Sequence, residues 1–174
     1  MSDKLIYSRR LIVPNRFKLT FTETTLGDKN KRPALSVSFV TWDKNTGQFA
    51  NNMETKVSIS DVDLVSLVSV LNGYKREFSH PSAGGVLLKI QWNDERNLNV
   101  FSTKKIDGDA SGPAIKSAFV NNPLELHELS FFALSVLIKL WNRDGFHGQL
   151  TPADVLPVLA RLNQISLKGK TSHD

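Results

Sequence analysis

Twice along this chain a run of alternating side chains gives way to helical spacing, and that repeated switch limits the folds open to it. Alternation with a period of two places successive residues on opposite faces of a strand, whereas a longer period draws a stripe along a helix. Phe17, Leu19 and Phe21 share one face, and Arg16, Lys18, Thr20 and Thr22 share the other. Leu35, Val37 and Phe39 alternate with Ser36 and Ser38, and the run ends at Trp42. The turn formers from Asp43 to Gly47 close a hairpin. A short strand follows at about Thr55 to Ile59, and Leu5 to Val13 is a further candidate, stopped by Pro14.

The period changes at Ser60. Ser60 to Asp63 has the form of a capping box, Ser-x-x-Asp. Leu64, Leu67, Val68 and Leu71 follow at helical spacing, and Asn72–Gly73 accepts the left-handed backbone that ends a helix. Four strands are then expected at Tyr74 to Ser79, Val86 to Trp92, Asn97 to Thr103 and Ala114 to Val120. Loops at His80–Gly85, Asn93–Arg96 and Asp107–Pro113 separate them. A second helix opens with Asn122 as cap and Pro123 at its first position. Its buried stripe is Leu126, Leu129, Ala133, Val136, Leu137 and Leu140. A third helix is expected from Thr151–Pro152, kinked or shortened by Pro157. The polar tail from Lys168 to Asp174 is expected to be disordered. The pattern predicts an α+β fold of two four-stranded antiparallel sheets, each followed by a helix, in residues 1–145, with a C-terminal helical extension in 146–174.

Composition narrows the chemistry. With no cysteine there is no disulfide, zinc-thiolate site, iron–sulfur cluster or cysteine nucleophile. The N-terminal Met1 to Arg10 lacks the apolar core of a secretory signal. The best apolar stretch, Leu129 to Trp141, is too short for a membrane span and carries Lys139. A soluble protein in the cytoplasm or associated with a nucleoid is expected. The histidines His80, His127, His147 and His173 show no metal-ligand spacing, and Asp107 and Asp109 do not complete a calcium loop. No Walker loop, nucleophile elbow or dinucleotide fingerprint is present. The reading is of a protein with no catalytic residue, metal or cofactor.

The net charge of +5 is a mild bias toward polyanions. Acids such as Asp61, Asp63, Glu125, Glu128 and Asp154 gather at helix starts, which leaves strands and loops the more basic part. There, bases interleave with aromatics: Phe21, Trp42, Tyr74, Phe78, Trp92 and Phe101, with Lys18, Lys56, Arg76, Lys89 and Lys104 nearby. Single-stranded nucleic acid is held by cations along its backbone and by rings on which bases stack. Strand aromatics are usually core, so half or more of these rings are expected to be buried, and strand lysines often only solubilise.

Three stretches in this order carry a resemblance to a known family. KNKRPALSVSFVTW, from Lys29 to Trp42, is similar to the basic-then-Ala-Leu-Ser-Val strand of plant Whirly proteins. VSISDVDLVSLVSVLNG, from Val57 to Gly73, resembles their strand-to-helix segment, FSHP at Phe78 to Pro81 resembles their next strand and turn, and the final strand and helix, ending LSVLIKLW at Leu134 to Trp141, match theirs in placement. Wider relatives include the positive cofactor four coactivators and the kinetoplastid guide-RNA-binding proteins. The resemblance implies a homotetramer with helices at its centre and single-stranded DNA, or RNA, across the sheets. It also makes Lys29, Lys31 and Arg32 binding candidates. Pro33 cannot donate a ladder hydrogen bond, so their strand is expected to begin at a sheet edge. The basic entry lacks the glycine-spaced lysines of the family, and the last thirty or so residues have no counterpart in it.

The expected function is sequence-nonspecific binding of single-stranded DNA in replication, repair or transcription. The alternatives are an RNA-binding or transcription-cofactor role on the same fold, a protein-interaction module without nucleic acid, or an enzyme with an unrecognised site.

Overall fold

The structure, a computed structural model, describes residues 8–13, 17–43, 45–104, 114–143 and 149–170. Its strands fall into two antiparallel sheets in which each strand pairs with its neighbours in sequence. The first sheet runs β1 (Ser8–Val13), β2 (Phe17–Leu26), β3 (Arg32–Asp43) and β4 (Gln48–Ile59). The second runs β5 (Glu77–Ser82), β6 (Val86–Trp92), β7 (Leu98–Lys104) and β8 (Ala114–Val120). Helix α1 (Asp61–Leu71) follows the first sheet, α2 (Pro123–Arg143) follows the second, and α3 (Pro152–Lys170) comes last. This is the α+β architecture that the two changes of period predict.

The inner faces of the sheets are apolar and closed. Leu19, Phe21, Leu35, Val37, Phe39, Val57 and Ile59 of the first sheet join Phe78, Leu88, Ile90, Leu98, Val100 and Val120 of the second in one core. Between them lie the helices. α2 packs on β3, and α1 packs on α2 while reaching β3 on one side and β5 and β6 on the other. α3 docks on both helices through Val155 and Leu159, which are fully buried.

Several local expectations change. The strand that contains Pro33 is not an edge strand, because β3 lies between β2 and β4. Pro33 is tolerated because β4 first pairs at Leu35↔Ile59, so no β4 partner waits for its missing N–H. Tyr74 to Arg76 do not belong to β5. The Tyr74 and Lys75 N–H groups instead donate to Ser69 O at 2.9 and 3.3 Å, and hold the chain against the end of α1 after Gly73 turns at φ +76°. In compensation β5 extends through Pro81, which suits an edge strand.

Ser60 occupies the cap position of α1, yet its side chain makes no capping bond; its Oγ donates to Asp61 Oδ2 at 3.3 Å. Asp63, the far end of the expected capping box, meets His80 Nδ1 at 2.9 Å. Pro157 neither ends nor shortens α3. It removes one bond near the helix start, on a face open to water that can solvate the freed carbonyl. Helix α3 also continues through Lys170, into the stretch expected to be disordered. Residues 171–174 and the Asp107–Pro113 loop lie outside the described residues.

Candidate nucleic-acid interface

The outer face of the second sheet is set by its register. Because side chains alternate along a strand, the rows Glu77↔Gln91↔Asn99↔Phe119 and Ser79↔Lys89↔Phe101 point away from the helices. Lys89 and Phe101 are therefore direct cross-strand partners, and both are half-buried. Phe119 is 53 % exposed and Leu87 39 %, while their strand neighbours Val120 and Leu88 are sealed in the core. An open sheet with large rings on its wet side is unusual, since apolar strand residues normally turn inward. Lys89 is held at the edge by Glu77, with Nζ 2.9 Å from Oε2. The hydrogen bond from Lys89, reinforced by its charge, keeps the Glu77 carboxyl below its ordinary range.

On the first sheet the outer row is Lys18↔Val40 and Thr20↔Ser38↔Lys56. Trp42 pairs with Phe49 on this face, ring edge to ring face, with centroids 4.9 Å apart. The Lys18 ammonium stands 5.8 Å over the Phe49 ring. Lys56 is exposed, whereas Ser36 and Ser38 of β3 are buried. At the hairpin tip the Asn45 N–H donates to the Asp43 carboxylate at 2.8 Å and holds its pKa below the usual carboxylate range.

The remaining sequence candidates divide. Phe21 and Phe78 are core residues. Tyr74, Arg76 and Trp92 do not reach either outer face; they meet at the end of the second sheet, where Trp92 Nε1 donates to Val70 O at 2.6 Å. Lys29 and Lys31 are exposed in the β2–β3 turn, whose Lys31 carbonyl accepts from Arg143 of α2. Arg32 is engaged by Asp61, Nη1 to Oδ1 2.9 Å. Lys104 ends β7, and its side chain is not among those described. The structure thus brings Lys18, Trp42 and Lys56 onto one face and Lys89 and Phe101 onto another. Phe49 and Phe119 were missed. Phe119 lies in a run, Ala114 to Val120, with apolar residues on both faces, so alternation alone could not say which face is wet. Phe49 stands beside a turn, before the register shift that separates Phe39 from Thr41.

Among the described residues no group of three or more His, Asp or Glu side chains is placed to hold a metal ion, and no helix is long and apolar enough to cross a membrane. No family model matches the chain, and no curated protein sequence matches it either. The fold has a structural likeness. It is similar to the crystal structures of Trypanosoma bruciei MRP1/MRP2, with a TM-score of 0.55 over 80 % of this chain and 88 % of that one. At 12 % identity the likeness is one of fold alone.

Proposed function

We propose that this protein binds single-stranded nucleic acid, DNA in the first place, across the outer faces of its two sheets and without regard to sequence. The observation that carries the reading is the second sheet's wet face, where Lys89 and Phe101 are cross-strand partners and Phe119 is about half exposed. A ring on a sheet can stack any base, and a lysine beside it neutralises the adjoining phosphate. The first sheet offers the same pairing in Lys18, Phe49, Trp42 and Lys56. The work is protection or organisation of single strands in replication, repair or transcription, in the cytoplasm or on a nucleoid.

Assembly into a homo-oligomer, a tetramer first, belongs to the same reading. Phe132 is buried and Ile138 and Trp141 pack against the core, so these parts of α2 are satisfied within the protomer. Leu124 and Phe131 are not: they are 64 % and 49 % exposed on one helix face.

Fluorescence anisotropy with labelled single-stranded DNA, RNA and duplex at two salt concentrations tests the proposal. Single strands should win, and log affinity should fall linearly with log salt, by about 0.7 per phosphate contact on a single strand. Salt-independent binding, or preference for duplex, would overturn it.

A further inference from the structure

A cleft of about 500 Å³ opens at the end of the second sheet, between the C-terminus of α1 and the β6–β7 turn. That volume suits a small ligand. Two half-buried rings, Tyr74 and Trp92, stand in its wall, and the bond from the Trp92 indole to Val70 O fixes one of them. Three cations line the same cleft, Lys75, Arg76 and Arg96, and no carboxylate does. Lys75 is steered by a 2.7 Å bond to Ser66 Oγ. Arg76 pairs with Asp94 at 2.9 Å, but both side chains are so open to water that the pair exchanges easily for a better anion. Arg96 has no ion-pair partner among the described residues, and its backbone sits at φ +61°, a region that arginine rarely adopts. A strained backbone under an uncommitted cation points to a use for it.

The cleft is not an extension of the sheet faces. Trp92 shares the inner face with Leu98 and Val120, on the helix side of the sheet. A strand lying on the outer face would have to turn past the β6–β7 turn to enter, a bend that a chain end makes more readily than a chain middle, whose two arms must both be led away. A terminal phosphate also differs from an internal one: its second ionisation lies near pH 6, so it is close to dianionic at neutral pH. Two rings beside three cations match a base joined to such a dianion.

The geometry points to a site for a phosphorylated terminal nucleotide, with the base against Tyr74 and Trp92 and the phosphate held by Arg76 and Arg96. The site rests on the single-strand reading proposed above, although a free nucleotide offers the same chemistry.

The test compares oligothymidylates that differ only in their ends, 5′-phosphate, 3′-phosphate or hydroxyl, on the full chain. A phosphate at one end should tighten binding about tenfold, the scale of a charge-assisted hydrogen bond. Arg96→Gly removes the guanidinium and suits the positive φ, so the variant should fold; it should abolish the gain and leave the hydroxyl-ended strand bound as before. If all three ends bind alike, the end site is wrong while single-strand binding stands. If no strand binds, the function proposed above is wrong, and calorimetry with thymidine monophosphate then decides the cleft. Heat that Arg96→Gly removes assigns the site to free nucleotides, and absence of heat overturns it.

Discussion

Phe119 is about half exposed, on a strand whose next residue, Val120, is sealed. A ring in that position contributes little to the core, so Phe119→Ala should change unfolding stability by less than about 1 kcal/mol. Stacking of a base on an aromatic is worth about 1–3 kcal/mol, so the same change should weaken single-strand binding by that much. A variant of normal affinity in an anisotropy titration would remove Phe119 from the interface. Glu77 works in the opposite sense. Its carboxylate holds Lys89 in the free protein and stands where a phosphate would lie. Glu77→Gln should therefore raise affinity, by roughly two- to fivefold on the scale of an exposed ion pair. A fall in affinity would mean that the pair positions Lys89 for binding.

The β2–β3 turn separates cations that the sequence sets side by side. Lys29 and Lys31 are exposed, whereas Arg32 is tied to Asp61, which begins α1 at φ +52°. Replacing both lysines with alanine should leave the melting temperature unmoved and lower the salt slope of binding. Arg32→Ala should lower the melting temperature by up to about 4 °C, the shift expected when a loss of within about 1 kcal/mol falls on a chain of this size. Equal shifts from the two variants in a thermal melt would contradict this division. At α3, the Thr151 hydroxyl and N–H both donate to Asp154, at 2.6 and 2.8 Å, and keep its pKa below the ordinary aspartate value of 3.8. A lowered folded pKa means that the carboxylate stabilises the helix start at pH above 3.8, and that this contribution is lost as pH falls through the folded value. Protection of α3 against hydrogen exchange, taken relative to the intrinsic rate at each pH, should fall over that acid range in the native chain, and show no such step in Asp154→Ala. The element types were legible because period is a local property: Leu19 and Phe21, or Leu64, Leu67 and Leu71, declare their faces unaided. What sits beside what was not. The pairing of Lys89 with Phe101, the removal of Trp92 to the helix side, and the capture of Arg32 by Asp61 all depend on register and packing between distant segments.

For the molecule as a whole, the exposed α2 face is where the proposed assembly is tested. Leu124, His127 and Phe131 recur at helical spacing, with the His127 ring edge-on to Phe131 at 4.6 Å. Light scattering should give a multiple of the 19.4 kDa chain mass, four in the first place, and Phe131→Glu should return it to one. Because linked sites bind one strand with avidity, the variant should also lose affinity for long strands more than for short ones. A native mass of 19.4 kDa at micromolar concentration would remove the oligomer. The packing of α2 on β3 also has a cost in time. The first sheet is complete at Ile59, but the helix that covers Leu35, Val37 and Phe39 ends only at Arg143. At ordinary rates of synthesis, about 5–20 residues per second, a ribosome needs on the order of ten seconds to cross that gap. For that interval the greasy side of the first sheet has only α1 to cover it, so the safe delivery of each nascent chain depends on whatever shields it at the ribosome.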